Sequence, residues 1–394
     1  MNDRISSIEN RLYYIDSHLH EFSATVTGVS EVKNGFAVTL DKTAFFPEGG
    51  GQSADTGFIG DVRVTDVREK DGSIIHYVNQ PLTVGAEYLC KLDWEQRYRR
   101  MQCHSGEHIV SGISNALHGV ENVGFHMGSG DMTIDFDKEL TWDELMEIER
   151  RANEAVRADI PVTASFPDSD TLETLEYRSK LELTHDVRIV EIPGIDRCAC
   201  CAPHVSHTGE IGMIKILDFM RHRGGIRVTL TAGMDALDAV RVMQENVTDI
   251  SRLLSAKRHE CARAVERVLN ENAKAKERIS ALSMELAKLK AESIAETDGN
   301  ICVFDSVLDD VALRELVNML VPKCGGIAVA FSGADGAYNY IIGSRNIDLR
   351  ANGKEINAGI SGRGGGSKEM IQGRSTGTRN QIESFINSDF LRKE

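Results

Sequence analysis

The sequence predicts an α+β protein of four consecutive parts: a small N-terminal β-barrel (1–95), a two-layer α/β domain (96–234), a long helical linker (235–297) and a C-terminal α/β domain (298–394). Three observations carry that expectation. Residues 20–95 alternate short strand-like runs with turn signals, residues 96–232 mix helical and strand periodicity, and residues 235–296 contain neither proline nor glycine.

In the first part the strand-like runs are Phe22–Val29, Gly35–Leu40, Val62–Val67 and Ile74–Val78, with Asn34-Gly35 and Asp71-Gly72 as hairpin turns. Between them, Thr43 to Gly57 carries a proline and three consecutive glycines and reads as a loop built for close approach. In the second part Gln96–Leu117 reads as helix and Met132–Phe136 as strand. Thr141, with Glu144 three residues on, is a capping-box start for a helix to about Ala158. A further helix is expected over Thr171–Leu183, then strands at Val187–Ile192, Gly212–Phe219 and Ile226–Thr231. The third part reads as one long helix or a helical hairpin. Its Ile279, Leu282, Leu286 and Leu289 form a narrow apolar seam that suits either an internal partner or a second subunit. The last part has strand-like Ile301–Phe304, Gly326–Phe331 and Tyr338–Ile342 around a helical Leu308–Leu320, then a glycine-rich loop, Ser361–Lys368, and a helix over Thr376–Asn387.

Composition bounds the function. The 394 residues are 41% hydrophobic and 27% charged, ordinary for a globular protein with room for several cores. The 45 Lys and Arg against 60 Asp and Glu leave a net charge of −15, which argues against holding nucleic acid by bulk positive charge. Local basic clusters stand out instead: Arg97, Arg99 and Arg100; Arg221, Arg223 and Arg227; and Ile341–Arg379, where seven Lys and Arg face three acids. No run of about 18 apolar residues predicts a membrane span. The N-terminus carries Asp3, Glu9 and Asp16 and has no signal-peptide core, so the expectation is a soluble cytoplasmic protein.

Two constellations carry chemistry. His104 and His108 stand four residues apart on a predicted helix, where two imidazoles can share one metal ion. Cys198-Ala199-Cys200-Cys201-Ala202-Pro203-His204 offers a thiolate and an imidazole, Cys200 and His204, that complete a mixed set suited to Zn²⁺. Spacing alone leaves open whether Cys198 or Cys201 also touches the metal.

The His104–His108 motif, the Asp196–Val205 segment with its following Thr208-Gly209-Glu210-Ile211-Gly212, and the Thr43–Gly57 loop together resemble the editing domain of alanyl-tRNA synthetase and of the free-standing AlaX proteins. Gly362-Arg363-Gly364-Gly365-Gly366 and Met370-Ile371-Gln372-Gly373 resemble the synthetase's C-terminal domain, and the order of parts matches a long AlaX protein. The resemblance departs from the family where Cys200-Cys201-Ala202-Pro203-His204 replaces a cysteine, two glycines, a threonine and a histidine.

The resemblance implies one Zn²⁺ per chain on His104, His108, Cys200 and His204, and hydrolysis of tRNA(Ala) mischarged with serine or glycine. With about 20 residues ahead of the barrel, aminoacylation is not expected. Zinc could activate water, polarise the carbonyl or anchor the ribose; the nearly full ligand set favours anchoring and water positioning. Gln52 and Glu107 are the candidate catalytic groups, although a residue like Glu107 is more often a solvated helix face. Thr43, Gly49, Gly50, Gly51, Arg99, Arg100, Arg363, Gly364, Gly365 and Lys368 are candidate substrate and tRNA contacts. Thr43, Ser105 and Gly124–His126 are candidates to sense the serine hydroxyl. The alternatives are a non-catalytic tRNA-binding or dimerisation module with a structural zinc, and an editing hydrolase for another mischarged tRNA. Homodimerisation would use the helical linker or the C-terminal domain.

Overall fold

Six antiparallel strands close the N-terminal barrel: β1 (Glu21–Val32), β2 (Gly35–Leu40), β3 (Gly57–Ile59), β4 (Val62–Lys70), β5 (Ser73–Val78) and β6 (Glu87–Leu92), in the order β1-β2-β5-β4-β3-β6. Alternation along β1 turns Phe22, Ala24 and Val26 inward, where they meet Val38, Ile59, Val64, Val78 and Leu92. The β4–β5 hairpin turns at Asp71 and Gly72, both with positive φ, as expected. The first hairpin turns at Lys33–Asn34, one residue early, because Gly35 already pairs with Val32. The computed structural model describes residues 8–128, 130–179 and 187–388, and the chain divides into two compact units, Met1–Val247 and Thr248–Glu394.

In the first unit the Trp94–His118 and Trp142–Arg157 helices share one core with a four-stranded sheet. Its strands are β7 (Asn122–Met127), β8 (Met132–Phe136), β12 (Ile214–His222) and β13 (Gly225–Ala232), in the order β12-β13-β8-β7. A second, three-stranded sheet has the order β11-β10-β9, from β9 (Thr163–Ser165), β10 (Ile189–Ile192) and β11 (Asp196–Ala199). The Thr141 capping box forms as expected: its hydroxyl accepts from Glu144 N–H, and the Glu144 carboxylate accepts from Thr141 N–H at 2.7 Å.

The helix expected over Thr171–Leu183 is much shorter. It spans Ser169–Thr174, and Leu175 is already extended, because Arg178 joins the neighbouring strand through a bridge to Cys198 and an ion pair to Asp196 at 2.7 Å. The remainder of that expectation, 180–183, lies outside the described residues.

Residues 233–293 fold as two helices, Gly233–Leu253 and Cys261–Ser293. The second packs its Ala287 and Ala291 face, with Met284 and Leu286, against the Asp310–Leu320 helix. Of the expected seam only Leu286 joins that core, while Ile279, Leu282 and Leu289 are exposed. In the same unit β14 (Ile301–Asp305), β15 (Ala328–Ala334), β16 (Ala337–Gly343), β17 (Gly362–Gly366) and β18 (Met370–Ser375) form a sheet ordered β14-β15-β16-β18-β17. The segment expected to be a glycine-rich loop is thus largely the edge strand β17. Glycine serves close strand approach there: a Cβ on Gly364 would sit 2.2 Å from Gln372 O and 2.4 Å from Tyr340 Oη.

Candidate metal centre

The Trp94–His118 helix is buried almost throughout its central stretch, which lets it present a line of polar groups away from water. Glycine at position 112 makes room for the ligand-bearing segment, since a Cβ there would lie 2.4 Å from Ile195 O. His104 and His108 project from this helix, and Cys200 and His204 from the turn after β11. One ligand atom from each of the four falls within 4.8 Å of the others, the convergence a single metal ion needs.

Hydrogen bonds orient each imidazole. His104 Nδ1 lies 3.1 Å from Gln52 Oε1, His108 Nδ1 lies 2.9 Å from Asp196 Oδ2, and His204 Nδ1 lies 3.0 Å from Ser105 Oγ. With Nδ1–H donating in each case, the Nε2 lone pairs are left for a metal. His104 Nε2 and His204 Nε2 stand 3.5 and 3.4 Å from Cys200 Sγ. Burial by itself would raise the Cys200 thiol, but His104 and His204 outweigh it and hold the thiol well below its ordinary value, the condition for a thiolate ligand. Asp196 is opposed by burial and held below its ordinary range by His108 and Arg178. The donor set therefore fits a divalent ion of zinc's preference. Cys198 stands apart, grouped only with His108 and Asp196, and burial pushes its thiol up to about 11. Cys201 is exposed, against the glycine loop, 3.4 Å from where a Cβ on Gly50 would be.

That loop closes over the helix. Gly49 and Gln52 exchange two backbone hydrogen bonds of 3.0 Å, and Gly50 and Gly51 between them have φ of +60° and +82°, a turn of the mirror-image type I′ class. A Cβ on Gly51 would lie 2.7 Å from Phe125 Cδ1, and the Phe125 ring itself sits 5.0 Å from that of His104. Gln52 is 1% exposed, and its Nε2 has no hydrogen-bond partner among the described residues.

Glu107 is not a solvated helix residue. It is 2% exposed; Oε1 accepts from Ser111 Oγ at 2.9 Å and from Asn122 Nδ2, and Oε2 lies 3.8 Å from His108 Nε2. Thr43 is held in the barrel, its hydroxyl 2.9 Å from His76 Nε2, and Ser105 is engaged by His204 and by Val205 N–H. The arginine cluster before His104 divides. Arg97 is 1% exposed and bonded to Asp55, so it is no surface contact; Arg100 donates to Ala54 O at 2.7 Å; Arg99 pairs with Asp235 and Asp238. Arg227 is tied to Asp135, whereas Arg363 and Lys368 are exposed.

Sequence reasoning named the four converging side chains and Gln52, gave Ser105 a different role, as a sensor of the serine hydroxyl, and missed the roles of Asp196 and Arg178 behind them. A signal existed: a ligating histidine needs an acceptor on its other nitrogen, and Asp196 opens the very segment that holds Cys200.

Residues 187–228 match the family described as the threonyl and alanyl tRNA synthetase second additional domain, and residues 8–96 match that of class II (A) tRNA synthetases. Alanine–tRNA ligases of Halorubrum lacusprofundi and Pyrococcus abyssi are 31% and 32% identical over 89% and 95% of this chain. The chain spans only 39% and 43% of their lengths. Alanyl-tRNA editing protein AlaX-L of Pyrococcus horikoshii is 27% identical over 92% of this chain and 94% of its own length. The chain is thus a homologue of the alanyl-tRNA editing protein AlaX-L as well as of alanine–tRNA ligases. Among solved structures, the C-Ala domain of Aquifex aeolicus alanyl-tRNA synthetase matches 24% of this chain and 99% of that one, at 19% identity and a TM-score of 0.20.

Proposed function

We propose that this protein hydrolyses the aminoacyl ester of tRNA(Ala) mischarged with serine, and with glycine, using one Zn²⁺ held by His104, His108, Cys200 and His204. The observation that carries this reading is a buried amide donor without a partner, Gln52 Nε2, on a side chain whose other end orients a ligand histidine. A buried donor left unsatisfied costs roughly 1–3 kcal/mol, a cost relieved when a substrate oxygen accepts from it. Zinc at the four ligands would supply a Lewis acid and an anchor for the ester or terminal ribose.

The chain's own groups do the rest. Gln52 donates to the carbonyl oxygen as water adds and negative charge gathers there, a contribution of about 10²- to 10³-fold for one such donor. Glu107, fixed at Oε1 with Oε2 turned toward His108, accepts the proton of the attacking water. Collapse of the tetrahedral intermediate breaks the ester C–O bond, and the proton held on Glu107 passes to the leaving ribose oxygen, which releases free amino acid and the ribose hydroxyl of the tRNA. The glycines at 49–51 shape the approach of the 3′ end, and Arg99, Arg363, Gly364, Gly365 and Lys368 contact the RNA, whereas Thr43, buried in the barrel against His76, has no part in it. Across the edge of the C-terminal sheet Arg363 pairs directly with Arg374, a like-charge pair that a bridging phosphate would relieve. Exposed Ile279, Leu282 and Leu289 support self-association of the chain. Among the described residues no helix is long and apolar enough to cross a membrane, and the proposed site of action is the cytoplasm, where charged tRNA is found.

The test is deacylation of a panel of charged tRNAs by purified, zinc-loaded protein. Ser-tRNA(Ala) is expected to release serine, with Ala-tRNA(Ala) spared and with at least about 10³-fold loss in folded His104→Ala and Cys200→Ala variants. Binding of tRNA without release of any amino acid would leave only a binding module; preference for another tRNA would reassign the substrate.

A further inference from the structure

Arg97 is fully buried, two helical turns before His104, and the substrate reading assigns it no task. Seven residues rotate an α-helix by about 700°, so Arg97 and His104 share a face some 10 Å apart. Along that face Arg97 meets both stems of the glycine loop. Its Nε donates to the Asp55 carboxylate at 2.9 and 3.1 Å, its Nη2 to Asp55 and to Ala44 O at 2.6 Å, and its Nη1 to Ser17 O at 3.1 Å. Asp55 in turn closes the loop: its carboxylate accepts from Phe46 N–H at 2.7 Å, and the two residues share a backbone bond of 2.9 Å. Three residues further along the helix, Arg100 grips Ala54 O. Gln52 lies between these stems, held to His104.

We propose that Arg97 and Asp55, aided by Arg100, are positioning residues of the metal centre. They tie the loop to the ligand helix at a fixed height, and so deliver the Gln52 amide to His104 on one side and to the reacting carbonyl on the other. Their effect on catalysis passes through Gln52. This inference rests on the deacylase reading above and takes Arg97 and Arg100 out of phosphate binding, for which their sequence neighbourhood first suggested them. A guanidinium fork is required, since one cation must reach Asp55 and two backbone carbonyls at once.

Arg97→Lys keeps the charge and removes the fork. The expected result is a kcat for Ser-tRNA(Ala) deacylation lowered about 30-fold, with KM and tRNA Kd changed less than twofold and zinc still one per chain. In a Gln52→Ala background the same substitution is expected to change kcat less than twofold. A rise in tRNA Kd with kcat kept, or full multiplication of the two effects, would overturn the proposal. Arg100→Gln, which removes the carbonyl contact to Ala54 and a longer 3.9 Å charge contact with Asp55, carries the same test with a roughly threefold effect should Arg97→Lys fail to fold. If the wild-type protein deacylates nothing, the functional reading fails and the clamp is judged by Co²⁺ titration against a chelator. Arg97→Lys is then expected to weaken Co²⁺ binding about tenfold, non-additively with Gln52→Ala, as for loss of a group that orients a ligand. Unchanged Co²⁺ affinity would sink the clamp.

Discussion

The two glycine-rich segments of this chain, Gly49–Gly51 and Gly362–Gly366, look alike as sequence and fold as opposites. The first is a tight turn with positive φ at Gly50 and Gly51, pressed against Phe125 and His104. The second is an extended edge strand without positive φ at any of its five residues. One uses glycine's access to the left-handed region, and the other uses its missing side chain so that two strands and a tyrosine can meet. Composition cannot separate these uses, because the neighbour that demands the glycine is distant in sequence.

Gly51→Ala should produce the larger effect. The added Cβ meets Phe125 Cδ1 at 2.7 Å and Phe125 O at 3.0 Å, at a φ of +82° that alanine adopts only with strain of about 1–3 kcal/mol. The loop has to shift, and with it Gln52. A displacement near 1 Å at such a group costs about 10²-fold in rate, so single-turnover deacylation of Ser-tRNA(Ala) is expected to slow by that factor. A rate unchanged in folded protein would erase the distinction between the two segments.

Gly364→Ala comes next and reads out differently. Its Cβ would press on Gln372 O and on the Tyr340 hydroxyl, which itself donates to Asn357 Oδ1 at 2.6 Å. Overpacking of this kind costs about 1–3 kcal/mol, so the unfolding midpoint of the Thr248–Glu394 unit should fall while zinc affinity stays as it was. A loss of zinc in this variant would contradict the division of labour proposed for the two glycine segments.

The sequence's legibility follows the same divide. Features set by near neighbours were readable: the His104–His108 spacing on one helix face, the Thr141 capping box, and the Asp71-Gly72 hairpin. Features set by partners far along the chain were not. Arg97 reads as one of three surface cations until Asp55, 42 residues away, is found against it, and Glu107 reads as solvated until Ser111 and Asn122 are seen to hold it. The strands β3, β6, β7, β9, β11, β17 and β18 escaped notice for a related reason: they are short, or polar, or rich in glycine, and exist because a neighbour pairs with them.

The smallest effect, and the sharpest test of the edge strand, belongs to Gly365. Alternation places it on the same face as Arg363 and opposite to that of Gly364, and a Cβ there would meet nothing within 4 Å. Folding therefore gives no reason for glycine at this position, and Gly365→Ala should change stability by no more than about 0.5 kcal/mol. Its register partner is Gln372, beside the Arg363 and Arg374 pair, so the open space over Gly365 adjoins two like charges held opposite one another. If RNA backbone enters that space, the added methyl should weaken tRNA binding about threefold while the melting temperature holds. Affinity and melting temperature both unmoved would remove the edge strand from the RNA-binding surface and leave the Arg363–Arg374 repulsion to be relieved by solvent alone.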